Sequence, residues 1–552
     1  MSKISLDTSF TGLSKLSDWW VIVKNNFLAI VTGHNELENR VNNIVASAGT
    51  SNAEIVDARH SSSKSKDFTV LTERLEEIEA DHASFVAENT QMLEEMSLSK
   101  TKEINSSAMY TKAIEEIKMI CINGLKQCKS VISGSSALKV AVIGTSISET
   151  AGLNNSEDGY FVRLQKLISK ALFGVNVTFQ NFALAGRRMD EAASATYLAV
   201  NPEPTDLSTG FWRTWATAGK SWRDHIKDFA PDLLIIEFGM NDSLSKDSDY
   251  NFQTNLDSFI TYVKTWTKVP DIVIVPTILP TTNTQYTSQS QIITNAVARS
   301  AREYAVHNGY VVADVNRLWR ILLGGEDEGT TSTTVEKNFA GFPTGWVGSP
   351  SSFTLADNTL TPASGLTAAF AVRNKNFYNG TIDVDVNPFA GSTPWITYRE
   401  NINGKMALLI TPGSAGAANV KLYAIGSAGI VLATASNLTI PAGQNTHIKI
   451  EADGISHKVY VAGALAIDIT TYRCLSDGIN GFGASAGLVP IYANAVMKYD
   501  DPITFKPIFT ELELLGPYND LEADGNGINH PTPLGNAVTF VPAFGFIDEL
   551  AR

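Results

Sequence analysis

Three short segments of this chain place polar groups where an apolar run gives way to a turn, and a fourth supplies a histidine. In Val142-Ile143-Gly144-Thr145-Ser146 the run ends in small residues, so a serine hydroxyl would project from the carboxyl edge of a sheet, where α/β sheets bind ligands. In Asn181-Phe182-Ala183-Leu184-Ala185-Gly186 the run ends in a glycine whose bare backbone N–H can approach a ligand. In Ile236-Glu237-Phe238-Gly239-Met240-Asn241-Asp242 an asparagine side chain follows the strand and can donate its amide to a developing oxyanion. Gly527-Ile528-Asn529-His530-Pro531 supplies a histidine, which a serine needs as a neighbouring base because its hydroxyl is a weak nucleophile near neutral pH. The combined chemistry is acyl transfer through a serine. Each segment alone has a plainer reading, a strand–helix turn or a surface histidine, and Arg187, Arg188, Asp190 and Asp242 beside them read equally well as structural ion pairs.

The elements that must carry these groups alternate. Leu138–Ile143, Val175–Phe182, Leu233–Phe238, Ile272–Thr277 and Tyr310–Asp314 read as strands, and Asp158–Phe173, Asn255–Thr267 and Ile292–Asn308 as helices. That alternation predicts a parallel sheet with helices on both faces. From about Ser332 to Asp500 the helical spacing disappears. Runs such as Thr381-Ile382-Asp383-Val384-Asp385-Val386 and His457-Lys458-Val459-Tyr460-Val461 alternate with Gly, Asn, Ser and Pro turns, the pattern of a β-sandwich.

Before the α/β region, Leu71, Leu75, Ile78, His82, Phe85, Asn89, Met92 and Met96 follow alternating steps of four and three. Ile114, Ile117, Cys121, Gly124, Cys128 and Val131 continue a poorer seam. A self-associating helical stalk, with a trimer as the expected state, is set against one amphipathic helix packed on its own domain. Asp57–Asp67 reads as a linker, and the apolar stretch Trp19–Val31, interrupted by Lys24, Asn25 and Asn26, as a docking element too short for a membrane span.

A net charge of −14 argues against nucleic-acid binding, which needs a basic face. The three cysteines, Cys121, Cys128 and Cys474, are too few for a disulfide framework, leaving only a bridge across an oligomer at Cys121 or Cys128. No zinc-type Cys/His spacing is present, and no metal or cofactor is expected. No basic run with an apolar core and a small-residue cleavage site opens the sequence, so neither a signal peptide nor membrane insertion is expected.

In order and in residue type, the four segments resemble the blocks of the SGNH (GDSL-type) hydrolases. The resemblance implies Ser146 as nucleophile, Gly186 and Asn241 with the Ser146 N–H as oxyanion donors, and His530 as base. Two positions depart from the family. Its Gly-Asp-Ser is Gly144-Thr145-Ser146 here, which leaves the local hydrogen bonding open. Its acid, three residues before the histidine, is replaced by Gly527. Asp524 is the expected acid, with Glu522, or a dyad oriented by a backbone carbonyl or water, as alternatives.

The β-rich region resembles concanavalin/laminin-G jelly rolls, which makes Trp346, Trp395 and Tyr398 candidates for stacking on sugars. The whole resembles bacteriophage tail spike or tail fibre proteins. It implies five parts: a docking segment (1–60) for a tail or baseplate protein, a coiled-coil stalk (61–135), a hydrolase domain in two pieces (136–331 and 503–552), and a lectin-like sandwich (332–502) inserted between them. The expected function is removal of O-acetyl groups from bacterial surface polysaccharide by a homotrimer on the virion, assembled in the host cytoplasm. A non-catalytic receptor-binding fibre with a relic hydrolase fold, or a lipid or thioester hydrolase of the same family, are the rivals.

Overall fold

The computed structural model describes residues 60–61 and 66–67 and, with gaps, 113–551. The larger omissions in the latter stretch are 118–123, 150–152, 199–214, 284–288, 364–367, 486–489 and 518–524. The chain divides into two compact units, residues 1–113 and 114–552. In the first, His60–Ser61 pairs antiparallel with Lys66–Asp67, inside the stretch expected to be a linker. The seam from Leu71 to Met96 and the apolar stretch Trp19–Val31 lie outside the described residues.

The second unit begins on the end of the expected stalk. Helix α1, Lys126–Ser133, contacts the sheet instead of standing clear of it. Cys128 is fully buried, its N–H donating to Asp271 Oδ2 (2.7 Å) and its thiol to the Asp232 carbonyl (3.4 Å). Its side chain is buried within this unit and faces the sheet, away from any surface that could meet another copy. Ile117, expected in the same seam, is also buried within this unit. For these residues the alternative holds, a helix packed on its own domain, because their apolar side chains already have an intramolecular surface to cover.

Five parallel strands form the α/β sheet: β1 (Leu138–Gly144), β2 (Val177–Asn181), β3 (Leu233–Phe238), β4 (Asp271–Pro276) and β5 (Val311–Val312). Their order is β2-β1-β3-β4-β5, every neighbouring pair parallel. The order reverses between β1 and β3, which opens a crevice at their carboxyl ends. All six residues of β3 are buried, as expected for a strand covered on both faces. Ala141, Ile143, Leu234 and Ile236 join one core with α4 (Trp222–Phe229), α5 (Ser248–Lys264) and α6 (Gln291–Asn308). Helix α1 contacts β1 and β4, α2 (Tyr160–Ala171) contacts β2, α3 (Met189–Ala193) contacts α4 and α5, and α7 (Val315–Leu322) contacts β4.

The antiparallel β-sandwich runs from Glu326–Lys337, its first strand, to Ile491–Thr504, its last. These two strands pair, with Glu326 opposite Thr504 and Lys337 opposite Val496. The insert therefore leaves the α/β domain where it entered it. Ile508 and Phe509 N–H groups return to the Leu322 carbonyl at 2.8 and 3.0 Å, closing the neck. Sheets of eight and seven strands enclose one core, with Ile382, Val384, Ile450 and Met497 from one sheet meeting Ile396, Leu408, Leu422 and Phe482 from the other.

The sandwich is fixed to the α/β domain by polar contacts. Asp249, in the first turn of α5, accepts from Leu475 N–H (3.0 Å) and Asn403 Nδ2 (3.2 Å), and burial raises its pKa. Asp247 pairs with Arg473 at 3.0 Å and accepts from Ser427 N–H at 3.0 Å. Arg299 donates to the Leu475 carbonyl and stacks 3.7 Å from the Tyr378 ring centroid. Among the described residues no helix is long and apolar enough to cross a membrane.

Candidate active site

Ser146 lies two residues beyond the end of β1, and its Oγ is 2.8 Å from His530 Nε2 across 384 residues of sequence. Gly186 lies five residues beyond β2 and Asn241 three beyond β3. The strand order thus brings the four sequence segments to one edge of three adjacent strands. Asn241 Nδ2 gives one hydrogen to the Arg187 carbonyl at 3.0 Å, which fixes the amide beside the turn that bears Gly186. Its second hydrogen is available for an oxyanion. Gly186 itself holds φ +72°, a left-handed conformation that glycine adopts without strain. Among the described residues no group of three or more His, Cys, Asp or Glu converges to hold a metal ion.

The histidine segment is held from both sides. The Ile528 carbonyl accepts from Thr281 N–H (2.7 Å), and Asn529 Nδ2 donates to Gln289 Oε1 (2.9 Å). Gln289 Nε2 in turn donates to the Met240 carbonyl at 2.7 Å, linking the His530 loop to the Asn241 turn. Behind His530, helix α8 (Glu511–Leu515) is capped by Thr510 and Glu513, and Thr532 N–H donates to the Leu514 carbonyl. Gly525, at φ +86°, admits no side chain, because a Cβ there would lie 2.2 Å from the Leu515 carbonyl oxygen. Burial lowers the His530 pKa to about 4, so the imidazole is neutral at neutral pH. Asp524 and Glu522, expected as sources of the acid, lie outside the described residues. The described neighbour of His530 Nδ1 is Asn526 Nδ2 at 3.1 Å.

The open question at Thr145 has a structural answer on β3. Glu237 Oε2 accepts from Thr145 N–H (3.1 Å), Thr145 Oγ1 (2.9 Å) and Ser148 Oγ (3.0 Å). A carboxylate from the neighbouring strand therefore ties down the turn that presents Ser146. Gly144 makes room for it, since a Cβ there would meet the Glu237 carbonyl oxygen at 2.7 Å. Sequence reading passed over Glu237, although a lone carboxylate in Leu233-Leu234-Ile235-Ile236-Glu237-Phe238 was a signal: a buried charge needs a partner. Asp242, the neighbour of Asn241, accepts from Met189 N–H (2.9 Å) and Gly239 N–H (3.1 Å), which fixes that turn. Arg187 pairs with Glu191 and Arg188 with Asp190, the plain structural role considered for them.

Burial raises Glu237 to about 7, against the lowering effect of its bonds from Thr145 and Ser148. The folded chain binds this proton more tightly than the unfolded chain does, so stability falls as the pH rises from about 4.5 to 7, by on the order of 3 kcal/mol. Glu237→Gln keeps an acceptor oxygen for the three donors and removes the titration. Urea unfolding at pH 5 and pH 8 is expected to show a smaller loss of stability in the variant than in the wild type. An unchanged pH dependence would place the proton elsewhere.

The aromatic candidates on the sandwich divide by strand parity. Trp346 is 5% exposed and Tyr398 fully buried, its hydroxyl 2.9 Å from His457 Nδ1. Both rings fill the core and offer no face to a sugar, a correction to the sequence expectation. Trp395 points to the opposite side of its strand and is partly exposed, its ring centroid 5.8 Å from that of Tyr423.

Residues 142–333, which carry four of the five parallel strands and the carboxyl end of the other, match the model of the GDSL-like Lipase/Acylhydrolase family. Among solved structures, the sandwich is similar to the carbohydrate binding module CBM66 from Bacillus subtilis, at 19% identity over 28% of this chain and 94% of that one, TM-score 0.23. It is also similar to a Bacillus licheniformis beta-glucanase, at 14% identity over 31% of this chain and 100% of that one, TM-score 0.26. A Crh5 transglycosylase matches at 12% identity over 32% of this chain and 90% of that one, also with TM-score 0.26. No curated protein sequence matches the chain.

Proposed function

We propose that the chain is a carbohydrate O-acetylesterase that removes acetyl groups from a bacterial surface polysaccharide. The observation that carries this reading is the Ser146 Oγ–His530 Nε2 contact of 2.8 Å, at the sheet edge where Asn241 and Gly186 also lie. In the reaction, the Ser146 hydroxyl proton passes to Nε2 as Oγ bonds to the ester carbonyl carbon. The carbonyl oxygen takes the charge among the N–H groups of Ser146 and Gly186 and the Asn241 amide. His530 returns the proton to the departing sugar hydroxyl as the C–O bond breaks. Water, deprotonated by His530, then releases acetate and restores the serine.

The inserted sandwich supports a polymeric carbohydrate as substrate. Its polar contacts hold it fixed against the catalytic domain, and the exposed Trp395–Tyr423 pair presents an aromatic surface of the kind that stacks on sugar rings. In the same reading the chain acts on a phage tail as a homotrimer. Its residues 1–60 dock to the tail or baseplate, and its seam from Leu71 to Met96 forms the stalk. One observation favours the rival, a receptor-binding fibre without catalysis: among the described residues, the group on His530 Nδ1 is the amide of Asn526.

Acetate release from a panel of O-acetylated bacterial polysaccharides, run beside p-nitrophenyl esters of increasing chain length, separates the readings. The proposal expects acetate from at least one polysaccharide and a rate that falls steeply beyond short acyl chains. Preference for long acyl chains would point to a lipid hydrolase, and inertness throughout to a binding fibre.

A further inference from the structure

His530 is held by more than its catalytic partner. Asn526, four residues earlier, accepts three backbone N–H groups on Oδ1: those of Ile528 (2.9 Å), Asn529 (2.8 Å) and His530 (2.8 Å). Turning the amide end for end would set its NH2 group against those three N–H donors, so the local backbone fixes its orientation. Nδ2 therefore faces the other way, 3.0 Å from Asn529 Oδ1 and 3.1 Å from His530 Nδ1. An amide nitrogen donates and does not accept, so Nδ1 must be the acceptor and carries no hydrogen. A neutral imidazole with a bare Nδ1 has its hydrogen on Nε2, the nitrogen that faces Ser146 Oγ at 2.8 Å.

We infer that Asn526 is a positioning residue that sets the tautomer of His530, holding the imidazole as a donor to Ser146 and not as an acceptor from it. The catalytic consequence rests on the esterase reading. In this tautomer Nε2 has no lone pair for the serine proton. Attack must wait until the hydrogen has left Nε2 and Nδ1 has gained one, which turns an N–H toward the Asn526 NH2. In Ser-His-Asp sites an amide in place of the carboxylate lowers kcat on the order of 10⁴-fold for this reason, with the geometry intact. Asn526 also stands where an acid could act. A carboxylate there would keep the three backbone N–H groups on one oxygen and offer the other to Nδ1–H. Asn526→Asp thus completes a Ser–His–Asp arrangement by exchanging an NH2 for an oxygen.

Two readouts on the full chain test this. Ring-nitrogen NMR of 15N-histidine-labelled protein, with His530 assigned by the loss of its signals in His530→Gln, is expected to show a bare Nδ1 and a protonated Nε2 in the wild type. In Asn526→Asp the proton moves to Nδ1. On p-nitrophenyl acetate, Asn526→Asp is expected to raise kcat at least about tenfold with little change in KM. It should also move the acid limb of the pH profile upward, because a neighbouring carboxylate favours the imidazolium. A purely structural asparagine would leave that limb in place. A protonated Nδ1 in the wild type, or a folded Asn526→Asp with unchanged or lower kcat, overturns the inference. If neither protein hydrolyses any ester, the esterase reading fails by itself and the NMR result still decides the tautomer.

Discussion

Ser146→Ala is expected to lower hydrolysis of p-nitrophenyl acetate by at least about 10³-fold, to the level of the uncatalysed reaction plus what the oxyanion donors supply. The loss should fall on kcat, because the hydroxyl makes the covalent bond of the first step and contributes little to holding an acetyl group. Stability should change little. Ser146 is 8% exposed and sits in a turn held by Glu237 through Thr145 and Ser148, so alanine leaves those anchors intact. Circular dichroism melting checks that the fold survives. An unchanged rate in a folded Ser146→Ala would mean that hydrolysis takes place at another site.

His530→Ala is expected to cost about 10³-fold in kcat, since it removes the group that takes the proton from the serine and returns it to the leaving alcohol. The wild-type pH profile gives an independent check. Because burial lowers His530 to about 4, kcat/KM should hold from neutral pH down to about pH 5 and fall only near pH 4. A histidine in water would lose half its activity near 6.5. A midpoint near 6.5 would indicate that the imidazole is solvated during the reaction, and a profile that is the same in His530→Ala would exclude it as the base.

The meeting of Ser146 with His530, and of Asn241 with the turn that bears Gly186, was legible because three strand-to-turn segments and one histidine segment carry residue types that are unusual together. The sheet was legible because buried parallel strands read as unbroken apolar runs, as Leu233–Phe238 shows. Other features depend on contacts that no local pattern carries. Helix α5 begins at Ser248 and not near Asn255, because the polar side chains of Asp247 and Asp249 are spent on the inserted sandwich. Helix α4 and helix α7, Val315–Leu322, are only eight residues each, too short for apolar spacing alone to mark them.

Parity could have divided the aromatic residues. Ile396 faces the core, so Tyr398 must face it too, and Trp395 must face outward. Asn526 was readable in principle. An Asx side chain commonly bonds to backbone N–H groups two or more residues on, and Asn526-Gly527-Ile528-Asn529-His530 has that spacing. Attention to carboxylates alone hid it. The role of Glu237 required knowing that β3 lies beside β1 in register, with Glu237 opposite Gly144.

The central claim, that Ser146 is an activated nucleophile, is tested most directly by treating the folded chain with a fluorophosphonate and mapping the adduct by mass spectrometry. The account predicts one phosphonyl group per chain, on the peptide bearing Ser146, with esterase activity lost in step and no labelling of Ser146→Ala. No adduct on an enzyme that hydrolyses esters, or an adduct on another residue with Ser146 unmodified, would contradict it.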